Sequence, residues 1–316
     1  MSASRKSQDS QTLFSRYAGN PILTRDHWPY EVNSVFNPGA VEVDGQTLLL
    51  VRVEDMRGFS HFTVARSADG FTDWQINAQP SFTPDPAHDE EHWGVEDPRI
   101  VWLEDYGQYA VTYVSFSLGG PVISVAMTRD FRSFDRICCL TPPEDKDGSL
   151  FPRRINGHYV LIHRPILRGE GHIWISFSPD LKYWGQHSIL LPVRHGWWDH
   201  HRVGLGTPPL ETSEGWLIFY HGVRVTASGS LYRVGMALLD LDDPRKVIGR
   251  TDRWVLGPEE MYEYIGNVPG VIFPTGVIVD AATGEVRLYY GAADNSVAVA
   301  TANLKDLLMA LKNGTQ

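Results

Sequence analysis

Short apolar runs bounded by polar turns recur along the chain in a fixed arrangement. A proline-led run, a polar turn and a second run occur five times: 38–43 and 48–52 around Asp44-Gly45; 98–102 and 109–114 around 105–107; 152–155 and 158–163 around Asn156-Gly157; 208–211 and 216–221 around 213–215; and 274–279 and 285–290 around 281–284. Asp-Gly and Asn-Gly between β-branched and aromatic runs are strong hairpin signals. A third run follows each hairpin, over 63–69, 124–130, 173–180, 234–240 and 297–303, each closing on Asp or Asn. The leading prolines are 60, 54, 56 and 66 residues apart, and the closing Asp/Asn markers 61, 50, 60 and 63 apart. Three strands with room for a fourth, repeated five times, predict an all-β, five-bladed β-propeller. Trp74, Phe134 and Trp184 follow the first three markers and are placed to pack between blades.

Helical spacing is confined to 303–312, where Leu304, Leu307, Leu308 and Leu311 predict a short C-terminal helix. Residues 1–19 read as an N-terminal arm, and 20–316 as a single propeller domain. Ring closure calls for a strand from near Phe14 to Leu23 on the last blade.

Composition narrows the function. The 316 residues carry 28 Lys+Arg against 38 Asp+Glu, a net charge of −10, which disfavours a general nucleic-acid binder. No secretory leader and no apolar run of membrane-spanning length is visible, so a cytoplasmic protein without a membrane partner is expected. Cys138 and Cys139 are sequence neighbours, read as buried structural thiols rather than a disulfide. His195, His200 and His201 lack metal-ligand spacing, no metal is expected, and Gly204-Leu205-Gly206 opens a strand rather than a nucleotide-binding helix.

In a propeller the innermost strands line a central channel, so polar residues at their starts converge on one mouth. They are Asn37, Asp97 beside Glu96, and Lys146 and Asp147 ahead of Phe151, with Arg202 ahead of Thr207. The following strands end in Arg52, Arg164, His221 and Asp294. Asp97 suits a general acid if burial raises its pKa. Lys146, Arg164 and Arg202 with His221 suit capture of an anion. Trp93, Trp197 and Trp198 are expected to flank the site, offering faces for sugar rings.

Several motifs resemble glycoside hydrolase family 130, the β-mannoside phosphorylases: Val-Phe-Asn-Pro-Gly (35–39), Arg-Val-Glu-Asp (52–55), Gly-Val-Glu-Asp-Pro-Arg (94–99), Leu-Phe-Pro (150–152) and His-Arg-Pro (163–165). Gly-Trp-Leu-Ile-Phe-Tyr-His-Gly-Val (215–223), Val-Ile-Phe-Pro-Thr-Gly (271–276) and Tyr-Tyr-Gly-Ala-Ala-Asp (289–294) extend the resemblance in order across the chain. It implies a five-bladed propeller with Asp97 as the catalytic acid, acting through the 3-hydroxyl of the mannosyl unit. Inorganic phosphate then attacks the anomeric carbon with inversion, giving α-mannose 1-phosphate. The resemblance puts phosphate ligands at Lys146, Arg164, Arg202, His221 and Tyr232, and sugar contacts at Asn37, Arg52, Glu96 and Asp294. Lys146 stands where an Arg is common in the family and Arg202 where a Lys is common. Retained cations at all three positions favour phosphorolysis over a β-mannosidase using water. A carbohydrate-binding propeller without turnover is the third reading. The implied partners are a β-mannosyl oligosaccharide and phosphate, with no further cofactor, and by analogy a homo-oligomer.

Overall fold

The computed structural model describes residues 13–167, 170–227 and 229–313. Each of five blades is built from antiparallel strands, the first in sequence lying innermost. Blade one comprises Ser34–Val43, Gln46–Glu54, Ser60–Ser67 and Gln75–Ile76; blade two, Val95–Leu103, Gln108–Ser117, Gly120–Thr128 and Asp135–Cys139. Blade three comprises Asp145–Leu150, Tyr159–Leu167, Ile173–Ser178 and Gly185–Leu191; blade four, Arg202–Leu205, Gly215–Thr226, Gly229–Leu239 and Val247–Arg250. Blade five takes Ile272–Val279, Glu285–Ala292 and Ser296–Asn303 from the end of the chain. Its outer strand is Ser15–Arg16, paired with Thr301 and Ala300, and Leu23 bridges to Val297 nearby. Arg16 is pinned there by Glu263 at 2.8 Å and Glu259 at 2.9 Å. The part of the expected arm over 1–12 lies outside the described residues.

Alternation along each strand builds the ring. In Gln46–Glu54, Leu48 and Leu50 face blade two while Leu49, Val51 and Val53 face blade five, so a continuous apolar run serves two interfaces. Five buried clusters result, one for each pair of neighbouring blades, and the fifth joins the last blade to the first. Trp74, Phe134 and Trp184 pack at these interfaces. The Asp markers make side-chain turns between third and fourth strands: Asp69, Asp130, Asp180 and Asp240 each accept two backbone N–H bonds of 2.8–3.0 Å. The C-terminal helix spans Leu304–Asn313 and buries Leu307, Leu308 and Leu311 against blades four and five. Among the described residues no helix is long and apolar enough to cross a membrane.

Two sequence expectations need correction. The inner strands of blades one and two begin at Ser34 and Val95, ahead of Pro38 and Pro98, which sit at bulges where the pairing register shifts. Proline has no N–H to donate, so it marks an interruption of the ladder rather than its start. Neither thiol is fully buried either. Cys138 is half-buried and Cys139 exposed, because their strand is the outer edge of blade two.

Candidate active site

The bulges create the site. Blades one, two and three each break register on the inner strand, at Phe36/Gly39, Glu96/Arg99 and Lys146/Ser149. The residue at each break is Asn37, Asp97 or Asp147, with φ of 43°, 53° and 56°. Asn and Asp tolerate this left-handed conformation better than other side-chain-bearing residues. A bulge re-aims the side chain it carries, and here three buried amide or carboxylate groups are brought into one region. Two glycines make room. A Cβ at Gly291 would strike Asn37 Oδ1, and one at Gly204 would strike Asp147 Oδ2 and the His221 ring.

Around Asp97, Asn37 Nδ2 donates to Oδ1 at 2.8 Å and Arg52 Nη1 donates to the same oxygen at 2.9 Å. Arg52 Nη2 reaches Glu96 at 2.9 Å, and Lys146 Nζ lies 3.6 Å from the other Glu96 oxygen. Burial works to raise the Asp97 carboxyl, but Arg52, Lys146 and Arg99, with the Asn37 amide, outweigh it and hold it below the usual carboxylate range. The expectation that burial raises this pKa is therefore overturned in the free protein, because cations surround the buried group. Asp294 behaves the opposite way. Burial, with Asp97 and Glu96 adding repulsion against Arg52 and Lys146, pushes it up to about 6.

The second group gathers around Asp147. Arg164 Nε donates to Asp147 Oδ2 at 2.5 Å, His221 Nε2 stands 3.5 Å from the same oxygen, and Arg99 Nη2 is 3.8 Å from Oδ1. Arg164 Nη1 is buried and has no hydrogen-bond partner. Arg202 Nη2 donates to Tyr232 Oη at 3.3 Å, and Tyr232 and His221 lie beside each other with ring centroids 5.8 Å apart. Burial first, and then Arg164, Arg99 and Arg202, push the His221 imidazole down to about 3 despite Asp147. His221 is thus a neutral hydrogen-bonding group and not a fourth cation, which corrects its place in the basic set. Asp147 itself is held far below the carboxylate range by the cations Arg164, Arg99 and Lys146 against its burial.

Arg99 escaped the sequence reading, and Asp147, placed there at the mouth, was given no role. Arg99, 1% exposed, donates to the Gly206, Leu205 and Asp97 carbonyls at 2.6, 2.9 and 3.2 Å, tying blade two to blade four beneath both groups. Asp147 is the blade-three counterpart of Asp97. The signal for it was present: fifty residues separate Asp97 from Asp147, as fifty separate the markers Asp130 and Asp180. Pro38 and Pro98 directly follow Asn37 and Asp97, whereas Gly148 follows Asp147 and Pro152 comes later. The expected aromatic flank also needs revision, since Trp197 and Trp198 line a separate pocket with Trp254.

The family model described as β-1,4-mannooligosaccharide phosphorylase matches residues 4–313. The chain belongs to glycoside hydrolase family 130. Within this family it is 37% identical to a β-1,4-mannooligosaccharide phosphorylase of Ruminococcus albus, covering 98% of this chain and 93% of that one. It is 33% identical to a β-1,2-mannobiose phosphorylase of Listeria innocua, over 94% and 98% of the two chains. The solved structure of a β-1,2-mannobiose phosphorylase from Listeria innocua, in complex with β-1,2-mannobiose, superposes with a TM-score of 0.86 at 31% identity, covering 95% of this chain and 99% of that one. The five-bladed architecture predicted from the repeats is thus the architecture of the family.

Proposed function

We propose that the chain is an inverting phosphorylase of β-mannosidic oligosaccharides, taking inorganic phosphate as co-substrate and releasing α-mannose 1-phosphate. The observation that carries this reading is the buried, unpartnered Nη1 of Arg164, whose Nε is held by Asp147. A buried cationic donor left unsatisfied is costly, and an anion is the partner that repays it. A glycosidase using water has no need of such a donor. The phosphorylase names of the relatives support the same choice.

In the proposed reaction Arg164, Arg202 and Lys146 hold phosphate with His221 and Tyr232 as neutral partners. Asn37, Arg52, Glu96 and Asp294 hold the mannosyl unit. Asp97 supplies the proton to the departing oxygen through the sugar 3-hydroxyl while phosphate attacks the opposite face. An inverting displacement needs an acid and a nucleophile on opposite sides, and phosphate as nucleophile removes the need for a second carboxylate base. The low pKa of Asp97 in the free protein adds a linkage. Arriving phosphate offsets the cations that hold the carboxyl down, so binding the nucleophile favours the protonated acid.

Product analysis with and without phosphate tests the reading. Phosphate-dependent formation of α-mannose 1-phosphate is expected, whereas free mannose released at one rate in both conditions would replace it with hydrolysis. Binding without turnover would leave only the carbohydrate-binding reading. Running the reaction in reverse from α-mannose 1-phosphate against a panel of acceptor sugars then assigns linkage and acceptor.

A further inference from the structure

A pocket of about 360 Å³ lies outside the groups described above, walled by Trp197, Trp198 and Trp254 with Arg224, Arg253 and Glu259. Its volume falls in the range of small-molecule sites. Trp197 and Trp198 donate their indole N–H groups to one carbonyl, Asp252 O, at 2.6 and 2.9 Å, which fixes both rings. Trp198 is buried, its ring 5.8 Å from that of Tyr220 and nearly parallel to it, while Trp197 and Trp254 remain 43% and 44% exposed. Two flat apolar faces are therefore presented to solvent on a rigid frame.

The charge around these rings is unbalanced. Arg233 lies 4.1 Å over the Trp254 ring, adding a third guanidinium to Arg224 and Arg253. Glu259 already meets Arg16 at 2.9 Å, and the Asp252 carboxylate stands 3.8 Å from Arg194. Among the described residues no ion pair holds Arg224, Arg233 or Arg253. In a chain of net charge −10, three arginines without carboxylate partners beside exposed indoles form a local inversion of sign. Indole faces suit the C–H face of a pyranose, and the guanidinium fork suits a phosphate monoester. The pocket also backs onto the proposed phosphate site. Gly222 and Arg233 are cross-strand partners on the face opposite His221 and Tyr232, and the Trp198 ring occupies the space where a Gly222 side chain would stand.

We propose that this pocket is a second binding site for a glycosyl phosphate, the exposed indoles taking the pyranose and Arg224 and Arg253 the phosphate. It rests on the phosphorylase reading, whose product α-mannose 1-phosphate is such a ligand. Titration calorimetry with α-mannose 1-phosphate counts the sites. Two per chain are expected in the wild type and one in the double variant Arg253→Glu/Trp254→Ala, whose initial phosphorolysis rate without added product stays unchanged. A single site in the wild type, or two retained in the double variant, overturns the proposal. Arg164→Ala is the control for the central site: if it keeps both sites, the central reading fails while the pocket stands. Mannose and inorganic phosphate, each given alone, are expected to bind the pocket at least roughly tenfold more weakly, since each uses only half of its chemistry. Equal binding of phosphate alone, or of a nucleoside monophosphate, overturns the pyranose assignment. Sedimentation of the double variant is expected to match the wild type, and a changed oligomeric state would make the pocket a subunit contact instead.

Discussion

Removing the Arg164 guanidinium is the sharpest perturbation of the proposed phosphate site. In Arg164→Ala the ligand loses the donor Nη1, and a hydrogen bond to a charged group contributes about 1.5–3 kcal/mol. With roughly tenfold per 1.4 kcal/mol, the KM for phosphate is expected to rise about ten- to hundredfold. The variant has a second consequence. Asp147 loses its 2.5 Å partner and keeps only His221 at 3.5 Å and Arg99 at 3.8 Å. Breaking a buried pair from one side costs about 3–5 kcal/mol of stability, so Tm falls as well. Arg164→Lys separates the two effects. It returns a cation to Asp147 and so recovers much of the Tm, but it lacks the planar fork, so the KM for phosphate stays high. The assay is initial rate against phosphate at saturating β-mannoside, with thermal unfolding in parallel. A phosphate KM unchanged in both variants, measured on folded protein, would refute the assignment.

Four further outcomes are expected. Asp97→Asn keeps an oxygen able to accept from Asn37 and Arg52 but cannot supply the proton, so kcat should fall roughly 10²- to 10⁴-fold while mannoside binding persists by calorimetry. Asp294, with its pKa near 6, is an ionised acceptor above that pH and a neutral acid below it; the KM for the mannoside should rise as pH drops through 6, and Asp294→Asn should flatten that limb. His221 is depressed to about 3 from an ordinary value of 6.5, so its stabilising contribution is complete above 6.5 and is lost as pH falls from there toward 3. Unfolding by denaturant across that window should show the decline, and His221→Gln should reduce it. Gly204→Ala puts a methyl group against Asp147 and His221, and a loss of about 1–3 kcal/mol with a raised phosphate KM should appear together.

The blade repeat was legible because each blade obeys local rules: short apolar runs bounded by polar turns, an Asp or Asn closing every third strand, and Asp-Gly or Asn-Gly hairpins in two blades. Asn37, Asp97, Arg52 and Arg164 could be placed at one mouth because they sit at equivalent ends of those strands. The bulges could not be read. A left-handed residue before proline looks in sequence like the start of a strand, which shortens the predicted strands, and Asp147, followed by glycine, carries no such mark. The charge state of the site was also hidden. Whether burial or neighbouring cations govern Asp97 depends on Arg52, Lys146 and Arg99, which lie far from it in two of three cases along the chain and meet it only in space. Trp197 and Trp198 illustrate the same limit, since their shared acceptor, Asp252 O, comes from more than fifty residues away.

The pairing of Ser15–Arg16 with Thr301 and Ala300 sets an order on assembly. A ribosome delivers residue 15 ahead of four blades and residue 301 after them, so an edge of the final blade must wait through synthesis of the four blades between them. Until then the nascent chain is an open arc with one exposed flank at each end, and closing it spans a loop of high contact order. Two residues, Ser15 and Arg16, are therefore the clasp of the whole ring.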